Sequence, residues 1–203
     1  DAYAAFFGVA LVQAKMYLER CQWGEADNLL MGLRRRADDL TVRLDSFYLL
    51  VLNQMIGVCA CMQQDFDRAL QSFRAAQEIV QREAQQGGTQ QRAQRFFNIQ
   101  GVPLAAWLEQ NLALTYELQS RLDKAEPHWL RYLDALEQNF SRSQPHDHLP
   151  GLAFECLTRL AEQFSKVERW TSALGCLQRA HRIRPSDYDT LERLFHPVSR
   201  EAL

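Results

Sequence analysis

Glycine and proline are scarce in this chain, at 9 and 6 among 203 residues. So few turn-formers argue against a loop-rich all-β chain or a disordered one. Charge of one sign is missing too, the formal net charge being −2. A near-neutral balance gives no electrostatic reason to expect nucleic acid or an acidic membrane surface. The densest basic run, Arg34-Arg35-Arg36, is followed at once by Asp38-Asp39 and reads as a solvated helix end. No apolar run approaches the roughly 20 residues of a membrane span. The N-terminal AYAAFFGVALV is short and lacks the charged lead-in of a signal peptide.

Motifs that carry chemistry are absent as well. The sequence holds no G-x-G-x-x-G, no P-loop, no G-x-S-x-G and no H-E-x-x-H. Cys21, Cys59, Cys61, Cys156 and Cys176 form no C-x-x-C and sit inside apolar helical patterns. An odd number of such thiols fits a reducing, intracellular compartment, the cytoplasm first and the nucleus second, better than a disulfide framework. His146-Asp147-His148 is the one histidine cluster, and two such ligands in a polar loop fall short of a metal site. The expectation is a non-enzymatic chain without catalytic residues, metal or cofactor.

What is present is helix-forming material. Apolar residues make up 47% of the chain, and Gln, Leu, Ala, Arg and Glu, all good helix formers, are abundant. The expectation is all-α. Near the C-terminal end stands WTSALGCLQRAHRIRP, residues 170–185. Its Trp170-x-x-Ala173 spacing recurs as Trp23-x-x-Ala26, Phe66-x-x-Ala69 and Leu122-x-x-Ala125. Four residues after each alanine come Leu30, Phe73, Trp129 and Leu177. Seven after come Leu33, Ala76, Tyr132 and Ala180. Twelve before come the small residues Ala14, Gly57, Ala113 and Ala161, and nine before come Tyr17, Ala60, Tyr116 and Phe164. Small residues let two helices approach closely, and the later offsets put apolar side chains on the second helix's inner face. A helical hairpin of this kind cannot bury its face alone, so neighbours must stack.

These residues resemble the tetratricopeptide repeat. Ala161, Phe164, Ala173, Leu177, Ala180 and Pro185 match all six of that family's signature places. The other three units have Asp38, Gln81 and Glu137 where the proline should be, and the alanines lie 43, 56 and 48 residues apart, further than in the family. The third unit, from QNLALTYELQSRLDKAEPHW into SQPHDHLP, is similar to the longer repeats of kinesin light chains. The resemblance implies one domain over 1–203, a right-handed superhelical array of antiparallel helix pairs (an α-solenoid). The pairs are read at about 3–38, 44–84, 103–141 and 151–184, with a capping helix over 187–195. A Gly-Gly and glutamine-rich stretch over 85–102 reads as a flexible insertion. Its Phe96 and Phe97 either tuck into the adjacent hairpin or form an exposed docking element.

The resemblance also implies a site. In the family the first helix of each pair lines a concave groove. Counting from each alanine places Val51, Gln54, Met55, Val58, Cys61 and Met62 there from the second pair. The third pair adds Trp107, Gln110, Asn111, Leu114 and Leu118, and the fourth adds Glu155, Arg159 and Glu162. Asn111 and Arg159 suit a carboxylate clamp, but Leu11, Lys15, Gln54 and Val58 stand where its lysines and asparagines belong. The apolar middle of the groove suits a helical or extended peptide, or is buried by the chain itself. The leading reading is a scaffold or adaptor that binds a protein or peptide partner within a larger assembly, with no nucleic acid and no membrane insertion. The alternative is a regulatory sensor module that binds a small ligand or peptide and controls an attached domain. An RNA-binding array would need a basic inner face, and only Arg159 and Lys166 offer one.

Overall fold

The computed structural model of the chain describes residues 2–39, 44–83, 88–99, 102–140 and 149–187. Every regular element among the described residues is an α-helix. The order is α1 (Ala2–Glu19), α2 (Trp23–Asp39), α3 (Ser46–Met62), α4 (Phe66–Arg82), α5 (Gly88–Phe97), α6 (Leu104–Leu118), α7 (Leu122–Phe140), α8 (Leu149–Lys166) and α9 (Trp170–Ile183). Eight of them form four hairpins, α1–α2, α3–α4, α6–α7 and α8–α9. The insertion holds a ninth, α5, in place of the flexible segment expected there. Pro150 and Gly151 lie in the first turn of α8, where proline's missing N–H has no intrahelical partner to lose. The capping helix over 187–195, apart from Asp187, and His146-Asp147-His148 lie outside the described residues.

Contacts gather the chain into two compact units, where one domain was expected. One comprises Asp1–Gln100 with Leu104–Trp129, the other Gly101–Pro103 with Leu130–Leu203. The division falls inside α7, between Trp129 and Leu130, a few residues after Pro127. That proline has no N–H to give to the Asp123 carbonyl, so the helix ladder is interrupted there. Within the first unit α1 packs on α2, α2 on α3, α3 on α4, and α4 on α6. Within the second, α8 packs on α9.

The four pairs share one turn. Cys21, Gln64, Ser120 and Glu168 each stand five residues before a repeat alanine, and each has a left-handed backbone, φ 56°, 63°, 58° and 60°. The next residue's N–H reaches back to the carbonyl of Tyr17, Ala60, Tyr116 or Phe164, at 2.9, 2.8, 2.9 and 2.9 Å. The left-handed residue's own N–H bonds to Leu18, Cys61, Glu117 or Ser165, at 3.0, 3.1, 2.8 and 3.1 Å. This double closure is the Schellman motif, which satisfies the last carbonyls of the first helix. The second helix starts at once, and Asp65 caps α4 by accepting from the Arg68 N–H.

The columns read from the sequence are the cores of the pairs. The four repeat alanines are at most 1% exposed, and Leu30, Phe73, Trp129 and Leu177 at most 2%. The small column has a steric reason that is most acute at Gly57. A Cβ built there would lie well inside contact distance of the Phe73 ring. Arg68 then ties α4 to α2 through Asp27 at 3.1 Å while holding Asp65 at 3.0 Å. Arg34 bonds α2 to Asn53 of α3 at 3.0 Å.

Two outcomes test this geometry in urea denaturation. Gly57→Ala lowers stability by about 1–3 kcal/mol through overpacking. Its loss and that of Phe73→Leu are less than additive, because the smaller side chain makes room for the methyl. Gln64→Gly raises stability by about 0.5–1 kcal/mol, since glycine removes the left-handed penalty; Gln64→Val lowers it.

Candidate partner-binding face

The face expected to bind a partner is built on α3 and α6. α3, SFYLLVLNQMIGVCACM, is apolar nearly all round, as a helix packed on several sides must be. Asp45 caps it, accepting from the Phe47 N–H at 2.8 Å. α3 and α6 meet where the Cys61 Sγ lies 3.7 Å from the Thr115 hydroxyl. That hydroxyl donates to the Asn111 carbonyl at 2.7 Å, so the thiol donates to it in turn. Burial pushes the Cys61 thiol up from its ordinary pKa, and the Thr115 contact offsets part of the rise. Burial pushes Cys59 up to about 12, so it is no nucleophile at neutral pH.

Part of this face is occupied by α5. Arg92 bonds Asp45 at 2.7 Å and lies 4.3 Å from the Phe47 ring centroid. Burial alone would raise the Asp45 pKa, but Arg92 and the Phe47 N–H outweigh it and hold the carboxyl below its ordinary value. Phe96 packs edge-on against Phe47, centroids 6.1 Å apart, with the Lys15 ammonium 5.8 Å from its ring. Phe97 packs on Trp107 at 4.9 Å. Of the two roles open to this phenylalanine pair, packing against neighbouring helices is the one observed. Both rings also rest on the cluster that contains Val51 and Met55.

Counting from the repeat alanine placed Gln54 and Met55 on an open groove. Both are buried, at 1% exposure. Met55 joins the core shared by α1, α2 and α3, on which the α5 rings close. Gln54 has no hydrogen-bond partner for either amide atom, and neither does the Asn111 Nδ2. Val58, Trp107, Gln110, Asn111 and Leu114 are half-buried. Met62 and Leu118, both seven residues before a repeat alanine, are 51% and 60% exposed. Glu155 and Glu162 are exposed on α8 and Arg159 is half-buried there, all three in the second unit.

A polar cluster that sequence reasoning missed lies beside this face. The Glu109 carboxylate meets the His128 Nδ1 at 2.7 Å and accepts from the Gln77 amide at 2.9 Å. His128 stacks on Tyr116, whose hydroxyl accepts from Arg74 at 2.8 Å. The residues come from α4, α6 and the first turns of α7. No spacing along one helix announces the group, so only the fold could assemble it.

Helix pairs with one repeating turn and one repeating core define the class, an all-α helical-repeat fold. The crystal structure of BtubC (BKLC) from P. vanneervenii, a helical-repeat protein, is similar to this chain with a TM-score of 0.60. The match covers 98% of this chain and 74% of that one at 15% sequence identity, and it bears on the fold. No protein-family model matches the sequence, and no curated protein matches it. Among the described residues no helix is long and apolar enough to cross a membrane, and no three His, Cys, Asp or Glu side chains group as a metal site would need.

One substitution tests the buried amide. Gln54→Leu removes two unpartnered polar atoms and keeps an apolar side chain in their place. It raises stability by about 1–3 kcal/mol in urea denaturation, against the usual direction for a core substitution.

Proposed function

We propose that the chain is a tetratricopeptide-type scaffold that binds a protein or peptide partner on the face of α3 and α6, within a larger assembly. The observation that carries this reading is the pair Met62 and Leu118. They occupy the same place in successive repeats, and α3 and α6 touch nearby, where Cys61, next to Met62, meets Thr115, one turn before Leu118. Half-buried Val58 and Leu114 lie one turn before them on the same two helices. Large apolar side chains exposed at repeated positions on neighbouring helices form a patch, and patches mark interaction sites. Methionine adds adaptability to an irregular ligand. The likeness to BtubC supports the helical-repeat fold on which this reading rests. A scaffold role of this kind calls on no catalytic group.

The test is the double variant Met62→Asp/Leu118→Asp. Both side chains are more than half exposed, so circular dichroism and the melting temperature stay near those of the parent. Co-purification from the source cells loses the partners that the parent chain retains, by tenfold or more. Undiminished recovery of the same partners removes this face from consideration.

A further inference from the structure

A second surface is visible on α1. Val9 is 72% exposed, Val12 50%, Met16 45% and Phe6 43%. They recur three or four residues apart, on the side of the helix away from the buried Phe7, Leu11 and Ala14. Single exposed apolar residues are ordinary, but four in one stripe are not.

The repeat columns say what covers such a face. Val9 stands at the offset of Leu52 and Leu108, which are each 0% exposed. Met16 stands at the offset of Cys59 and Thr115, also 0%, and Val12 at that of Met55, at 1%. In the second pair all three places are buried, and in the third Leu108 and Thr115 are buried and Asn111 is half-buried; the second helix of the pair before packs on each, α2 on α3 and α4 on α6. The α2–α3 contacts run antiparallel. The Trp23 carbonyl, at the start of α2, accepts from Gln63 at 3.2 Å and from Cys59 at 4.0 Å, both at the end of α3. Arg34, two-thirds along α2, reaches Asn53 near the middle of α3. Arg20 occupies the offset of Gln63 and brings a donor to the same place beside α1.

We propose that α1 is an interface for the end pair of a helical-repeat partner, whose second helix lies antiparallel on the stripe from Phe6 to Met16 as α2 lies on α3. A second copy of this chain pairing α1 with α1 is the poorer fit. One helix face per chain falls short of the roughly 800 Å² per partner of a stable interface. A stacked pair touches α1 with both its helices, as α1 and α2 both touch α3. This surface is distinct from the strip at Met62 and Leu118, so either proposal can fail alone.

The probe is a duplicate of residues 2–45 fused ahead of Ala2 in the full chain. It reuses the segment that joins α2 to α3 and makes the contact intramolecular. Hydrogen exchange is followed at the backbone amides of the original α1. The expected result is exchange at least tenfold slower than in the unfused chain, with the slowing abolished by Val9→Glu/Met16→Glu in that helix. Phe6→Ser/Val12→Ser has the same effect and decides the matter if the charged variant does not fold by circular dichroism. Unchanged exchange on fusion overturns the proposal, as does slowing that survives a folded variant. Sedimentation of the unfused chain as a dimer that Val9→Glu dissociates also overturns it, because a second copy then covers the stripe.

Discussion

Two helix backbones meet at a small residue in each pair, and the rest of the molecule is arranged around that approach. Ala14, Gly57, Ala113 and Ala161 hold these places, and the three alanines among them are at most 1% exposed. At Gly57 the approach is so close that the Phe73 ring takes the space of the missing Cβ. A left-handed residue five places before each repeat alanine brings the second helix back at the angle that permits it. The strain of a non-glycine left-handed residue, borne four times, is offset by the two main-chain hydrogen bonds of each closure and by the burial that follows.

Closing a pair leaves apolar surface that the pair cannot cover. The first helices, α1, α3 and α6, carry apolar side chains on more than one side, whereas α2, α4 and α7 have a charged outer face. The difference follows from neighbours. α3 is packed by α1, α2, α4 and α5, and a helix so surrounded has almost no face left for water. Where a first helix lacks its full set of neighbours, as at Met62 and Leu118 or along the outer stripe of α1, apolar surface stays exposed.

The insertion shows how such a surplus can be met from within. α5 is ten residues long, too short to be stable alone, and is held by Arg92 on Asp45 and by two phenylalanine rings. It closes over apolar groups, while the buried Gln54 amide of α3 is left with nothing to bond. A covering helix offers side chains, not free backbone groups, so a buried amide beneath it is satisfied only if a polar side chain happens to face it.

The positions of the pairs, their turns and their small-residue columns could be read directly from the chain, because each is a matter of spacing within some thirty residues. Trp170-x-x-Ala173 and its three copies sufficed for that. Which residues would face solvent was less legible. The counting that put Val58, Gln54 and Met55 on one open groove leaves Val58 half-buried but Gln54 and Met55 buried, and Met55 is covered by side chains of α1 and α5 that arrive from elsewhere in the chain. The Glu109–His128–Tyr116 cluster, from parts of three helices, had no local signal at all. Local spacing thus determined by itself that the chain folds as stacked helix pairs, since periodicity and close approach act between near neighbours in sequence. Only the tertiary structure decided which apolar faces are covered and which stay open, since burial depends on what the distant parts of the chain bring to each helix.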